Sequence, residues 1–248
     1  MALADGVAAP AVEGVVDTHA GLELLEVVGQ HLGLDGSRAH VVTRAGAADF
    51  KVPLLGRATK GKPIVNLINV APDTQIAAMV PVKKFTDDEF LLFCTRNGTI
   101  KKTALSEYSN VRSTGVKGIK IEDGDELINV QVTSGTNDIV LATRHGLSVR
   151  FHEQDVRSMG RDTTGVKGIE LGEGDAVIGM VVIKREATLM VVTENALGKC
   201  SHIDEYRVQK RGGKGIKTVN RTEKTGDVVA LLEVLPEDEI MLITRTGQ

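Results

Sequence analysis

From about residue 39 onward the chain repeats one pattern: a short apolar run, a closing threonine, and a polar turn that contains glycine. The runs are Val41-Val42-Thr43-Arg44-Ala45-Gly46, Phe90 to Gly98, Ile139 to Gly146, Leu189 to Gly198 and Ile240 to Gly247. Their threonines stand at 43, 95, 143, 193 and 244, so the successive spacings are 52, 48, 50 and 51 residues. Apolar runs this short, bounded by turn residues, predict strands. Asn97-Gly98 and His145-Gly146 suit hairpin turns, because glycine takes a positive φ without steric cost. A second arm follows each turn, as in Thr99 to Thr103 and Leu147 to Phe151. Helical spacing is scarce after residue 39. Before it, Leu22, Leu25, Val28 and Leu32 predict a short helix over Gly21 to Leu34, weakened by Gly29 and Gly33.

The pattern is a true repeat. Thr114-Gly115-Val116-Lys117-Gly118-Ile119 returns unchanged as Thr164-Gly165-Val166-Lys167-Gly168-Ile169, 50 residues later. Gly124-Asp125-Glu126-Leu127-Ile128 is matched by Gly174-Asp175-Ala176-Val177-Ile178 at the same offset. Basic, glycine-containing segments recur at Arg112 to Gly118, Arg161 to Gly168 and Lys210 to Gly215, with Thr59 to Pro63 as a decayed version. Each module reads as about four short strands. The expected fold is all-β and propeller-like, with four-stranded blades, a period of about 50 residues, and about four blades plus partial ends. The modules fall near 39–88, 89–137, 138–187 and 188–238, with a partial one over 239–248, and residues 1–38 stand apart as an atypical leader. The last module stops where earlier ones begin their second arm. The chain is therefore expected to be a segment of something longer, or a shortened relative.

Composition narrows the class. Apolar content of 42% and charged content of 25% fit a soluble globular protein. No apolar run approaches the roughly 18 residues of a membrane helix, and no basic segment opens a secretory signal. Cys94 and Cys200 have no metal spacing and read as small buried hydrophobes in a reducing compartment. Net charge is −3; residues 1–38 carry six carboxylates against Arg38 alone, which leaves 39–248 at +2. That is not a basic domain, so any nucleic-acid role rests on where the cations lie.

Several motifs fail as catalytic or metal sites. Six histidines (His19, His31, His40, His145, His152 and His202) lack ligand spacing. Glu122-Asp123-Gly124-Asp125-Glu126 lacks the alternation of a calcium loop and reads as a solvated turn. Gly56 to Lys62 approaches a phosphate loop, but Pro63 stands where Ser or Thr would bind magnesium, and a strand follows instead of a helix. Tyr108 and Tyr206 each follow a glutamate at matching places, which favours packing over nucleophilic chemistry.

The stretch with functional content is Val208-Gln209-Lys210-Arg211-Gly212-Gly213-Lys214-Gly215-Ile216-Lys217, where four cations are interleaved with three glycines. Glycine lets backbone amides and cations approach a phosphate closely, and Lys and Arg displace counterions from DNA. Aromatic content is only 3%, so stacking on single strands has little support, and no base-reading helix is expected. What remains is backbone contact with duplex DNA. Taken alone, the stretch reads more readily as a glycine-rich turn with solvated charges.

Gln209-Lys210-Arg211-Gly212-Gly213-Lys214-Gly215 resembles the seven-residue box of the DNA gyrase A protein, which reads Gln, basic, Arg, Gly, Gly, basic, Gly. Pro63 to Leu67, Asn97 to Thr103, Val156 to Gly160 and Thr164 to Gly174 resemble the C-terminal domain of the same protein, and the likeness extends through most of 39–248. The resemblance implies a β-pinwheel: a disc or spiral of four-stranded blades that exchange strands with their neighbours. It implies duplex DNA as partner, bent around a basic rim in support of ATP-dependent negative supercoiling. The box residues and Lys217 become candidate DNA contacts. Lys101, Lys102, Arg112, Lys117, Arg150, Arg157, Arg161 and Lys167 are candidates from other modules.

The family's breakage-reunion region lies outside the likeness, and neither Tyr108 nor Tyr206 takes the role of its nucleophile. The chain by itself is expected to be non-catalytic and to carry no cofactor or metal. ATP and magnesium serve other parts of a complete type IIA topoisomerase. The gyrase A N-terminal region and the gyrase B protein are the implied protein partners, in a cytoplasmic, chromosome-associated setting without a membrane. The family's box usually lies in its first blade; here it lies between Thr193 and Thr244. Two rival expectations follow: a topoisomerase IV-type DNA-binding domain, and a truncated repeat scaffold that binds protein.

Overall fold

In the computed structural model the described residues are 38–43, 46–51, 76–82, 84–110, 117–184, 186, 188–236 and 238. Their strands are β1 (Arg38–Thr43), β2 (Gly46–Lys51), β3 (Ile76–Pro81), β4 (Phe90–Thr95), β5 (Thr99–Ala104), β6 (Leu127–Thr133), β7 (Asp138–Thr143), β8 (Leu147–His152), β9 (Val166–Lys167), β10 (Val177–Ile183), β11 (Thr188–Thr193), β12 (Gly198–His202), β13 (Ile216–Lys217) and β14 (Val228–Val234). They form four antiparallel sheets, ordered β2-β1-β3, β6-β4-β5-β9, β10-β7-β8-β13 and β12-β11-β14. These are blades one to four. The predicted helix over 21–34, the leader 1–38 apart from Arg38, the segment 56–62, Arg112, Thr114 to Val116 and the partial module 239–248 lie outside the described residues.

Strands change hands between blades. β9 follows β8 in sequence, yet it pairs with β5, with Thr99 opposite Lys167 and Ile100 opposite Val166. β13 follows β12, yet it pairs with β8, with Ser148 opposite Ile216 and Leu147 opposite Lys217. A parallel bridge begins each hand-over, Lys102 with Ser158 and Arg150 with Val208. In both cases a module supplies the outer strand of the blade before it. This is the exchange expected of a β-pinwheel.

The exchanged strand begins at a glycine for a steric reason. Gly165 has φ +113, and a β-carbon there would stand 2.6 Å from the Ile100 carbonyl oxygen. Gly215 has φ +76, and its β-carbon would stand 2.5 Å from the Ser148 oxygen. Only glycine allows the donor backbone to lie this close in that conformation.

The recurring threonine also has a local cause. In every blade the register between the central strand and its partner slips at the threonine: at Thr43, Thr95, Thr143 and Thr193. The extra residue of each bulge lies on the partner strand, and in blades two and three the threonine side chain serves the hairpin that follows it. The Thr95 hydroxyl accepts from Thr99 N at 3.1 Å and the Thr143 hydroxyl from Leu147 N at 3.2 Å. In the fourth blade the pattern differs. Two extra residues separate threonine from glycine, and the positive φ falls on Ala196 at +58 rather than on Gly198.

Alternate residues of each central strand face opposite neighbours, so cores form between blades. Leu92, Ile100, Ile139, Leu141, Phe151 and Met180 join blades two and three. Val140, Ala142 and Val181 meet Leu189, Val191, Tyr206 and Leu231 between blades three and four. Tyr108 and Tyr206 are buried packing residues, and Cys94 is buried. Cys200 departs from expectation: it is exposed on β12. Among the described residues no helix is long and apolar enough to cross a membrane.

Candidate nucleic-acid interface

The box runs from the bridge at Val208 to the start of β13, along the outer edges of two blades. Gln209 N donates to the Arg150 oxygen at 2.7 Å, and Thr218 N donates to the Gly146 oxygen at 2.8 Å, so both ends are tied to blade three. Between them the turn leans on the preceding module's exchanged segment. Gly212 N donates to the Gly168 oxygen at 2.6 Å, and Glu170 N donates to the Gly213 oxygen at 2.9 Å. The Arg211 guanidinium reaches two carbonyls: Nε to Asp155 at 2.8 Å and Nη1 to Lys167 at 3.0 Å.

Within this frame the candidate cations divide by exposure. Lys210, Lys214 and Lys217 are exposed, as are Lys117, Arg157 and Lys167, while Arg161 and Arg211 are half-buried. Lys167 and Lys217 are repeat-mates on β9 and β13, at the same place on successive outer edges. Lys117 lies 3.3 Å from Asp162, and both are exposed, so that ion pair holds the side chain only weakly. Arg207 belongs with this group. It is exposed and stands 50 residues after Arg157, a signal that sequence reading passed over.

Three candidates are withdrawn from the surface by the fold. Lys101 is fully buried; its ammonium donates to Gly118 O at 2.7 Å and Arg161 O at 2.5 Å, and lies 5.5 Å from the Phe93 ring centre. Burial pushes its pKa down to about 8. Lys102 is 6% exposed; it donates to Glu153 O at 2.9 Å and sits 3.7 Å from the Glu153 carboxylate. That carboxylate is itself fully buried and accepts from Thr133 Oγ1 at 2.6 Å and Asn137 N at 2.7 Å. Arg150 is the repeat-mate of Lys102. Its Nε and Nη2 bind Asp138 at 2.8 and 2.7 Å, while Nη1 donates to Ile203 O at 2.9 Å and Tyr206 O at 3.1 Å. Lys102 pins blade two to the turn after β8, and Arg150 pins blade three to the turn after β12. These three cations are therefore seam pins with their charge turned inward, because the neighbouring module covers the edge on which they sit.

The acidic turn is structural as well. Asp125 Oδ1 accepts from Asn97 N at 2.9 Å and Glu126 N at 2.8 Å, and Asp175 repeats this with His145 N and Ala176 N. Among the described residues no three His, Cys, Asp or Glu side chains gather to hold a metal ion.

The family model described as DNA gyrase C-terminal domain, beta-propeller, matches residues 51–83, 89–134, 137–184 and 187–234. The chain is similar to the DNA gyrase A protein of Halalkalibacterium halodurans, with 54% identity over 198 residues; these are 80% of this chain and 24% of that protein. It is similar to the crystal structure of the C-terminal domain of DNA topoisomerase IV, with TM-score 0.72 and 25% identity over 81% of this chain and 64% of that one. It is also similar to the structure of the DNA gyrase A C-terminal domain, with TM-score 0.69 and 27% identity over 84% of this chain and 69% of that one. The chain thus spans 24% of the length of curated relatives such as the first.

Proposed function

The chain belongs to the DNA gyrase C-terminal domain family, and on that premise we propose that it binds duplex DNA along its blade rim and bends it. The reading is supported above all by the box. Its turn is fastened to the outer edges of two blades, with Lys210 and Lys214 left exposed beside Lys167 and Lys217. Ammonium groups on a curved edge contact phosphates without reading bases, and they draw the duplex along the curve. In a complete type IIA topoisomerase the bent segment is presented for ATP-driven strand passage. There the chain works with the gyrase A N-terminal region and the gyrase B protein on the cytoplasmic chromosome. ATP and magnesium act in those other parts.

The test is topological. The chain is incubated with nicked circular duplex, the nick is sealed, and the linking number is compared with a protein-free control across a salt series. A protein-dependent shift that fades with salt is expected. Retardation of DNA with no linking shift is the outcome of the second reading, a topoisomerase IV-type domain, whose fold the chain resembles as it does that of gyrase A. Neither effect would leave a scaffold that binds protein.

A further inference from the structure

We propose that Arg211, unlike the exposed Lys210 and Lys214 beside it, is a positioning residue: it clasps the box turn to the neighbouring seam. The inference rests on the DNA-binding reading and deepens it. Its basis is the pair of carbonyls that Arg211 joins. Asp155 ends the 3₁₀ turn after β8 in blade three, and Lys167 lies in β9 on the edge of blade two. One guanidinium from the next module therefore ties the box turn both to the exchanged strand β9 and to the turn after β8. The amide bonds of Gly212 to Gly168 and of Glu170 to Gly213 close the same junction. Nε and Nη1 of Arg211 are engaged in this way, and the side chain is half-buried. Lys210 and Lys214, on either side, are exposed. The clasp fixes the angle at which adjacent blade edges meet, and so the curvature that a bound duplex follows.

Arginine is required for geometry rather than for charge. Its planar fork donates in two directions at once, which the single ammonium of lysine does not reproduce. Arg211→Lys thus separates the two roles: charge is kept and the clasp is lost. The full chain is compared with this variant and with a Lys210→Ala, Lys214→Ala double variant in three measurements: linking shift on nicked circles, salt dependence of duplex binding, and amide hydrogen exchange.

Arg211→Lys is expected to keep the wild-type salt slope but to lose more than half of the linking shift. Its Gly212 and Glu170 amides should exchange faster, while Thr218 stays protected. The double variant is expected to keep Gly212 protection and to flatten the salt slope by about 2, since each lost phosphate contact removes about 0.9. Wild-type linking by Arg211→Lys, or unchanged Gly212 exchange in it, overturns the clasp. If the wild-type chain neither binds nor shifts DNA, the DNA reading fails, and the exchange data still decide whether Arg211 holds the turn.

Discussion

Gly215 faces the carbonyl oxygen of Ser148 so closely that a β-carbon added to it would stand 2.5 Å from that oxygen. The contact is backbone against backbone, so no side-chain rotation relieves it. Gly215→Ala is expected to detach β13 from β8 and to lower stability by about 2–4 kcal/mol. Gly213→Ala is the control: Gly213 has no positive φ, and its β-carbon would meet only the Lys210 oxygen at 3.6 Å. Urea midpoints of the two variants should differ clearly. Equal midpoints would show that the exchange does not depend on this approach.

Ala196 holds a left-handed backbone at φ +58 where the other turns use glycine. Ala196→Gly removes a steric cost of about 1–2 kcal/mol and adds back somewhat less in unfolded-chain entropy. A rise in stability of about 0.5–1 kcal/mol is expected in thermal unfolding. A fall would mean that the turn is held without strain.

Lys101 couples stability to alkaline pH. Its pKa is lowered from 10.5 to about 8 in the folded chain, by burial first. Below pH 8 both states hold the proton. Between about 8 and 10.5 the unfolded chain keeps a proton that the folded chain has released, so this residue's contribution to stability rises with pH. The unfolding free energy of the wild type minus that of Lys101→Met is therefore expected to increase between about pH 7.5 and 9.5, by about 1–3 kcal/mol. A constant difference across that range would show that the ammonium keeps its proton.

Lys102 is a structural cation in the same sense. Lys102→Met leaves the buried Glu153 carboxylate with two neutral donors, Thr133 Oγ1 and Asn137 N. A loss of about 3 kcal/mol is expected, as for breaking one side of a buried pair. Adding Glu153→Gln to the same chain should restore part of it. The salt slope of duplex binding should not change, and a flatter slope would return Lys102 to the rim.

Arg207→Ala carries the opposite expectation. The side chain is exposed beside the bridge at Val208. Its loss should flatten the salt slope by about 0.9 and leave the unfolding midpoint in place. An unchanged slope would exclude it from the DNA contacts.

The repeat was legible because its physics is local. A threonine hydroxyl at a bulge, a turn glycine and a glycine at a close backbone approach each leave a residue of fixed type at fixed spacing. The inward turn of Lys101, Lys102 and Arg150 was not legible. Strand alternation tells which face of a blade a residue occupies, but not that a segment some 50 residues further along the sequence will lie over the outer edge. Composition pointed to the box as a cationic loop. That one of its cations bonds carbonyls of the preceding module depended on stacking that no single module encodes. That an alanine stands three residues after Thr193, where the other modules have glycine, was visible in the sequence, but its positive φ was not.

Strand exchange also governs how such a chain can grow or shrink. Thr-Gly-Val-Lys-Gly-Ile is spelled identically at 114–119 and 164–169. A genetic crossover between the two copies deletes or duplicates one whole period and regenerates the same hexapeptide at the junction. After a duplication the β5 edge, which pairs with Val166-Lys167, still meets a donor of that sequence. The heritable unit is then the joint and not the blade, and blade number becomes a quantity that recombination can adjust without inventing a new interface.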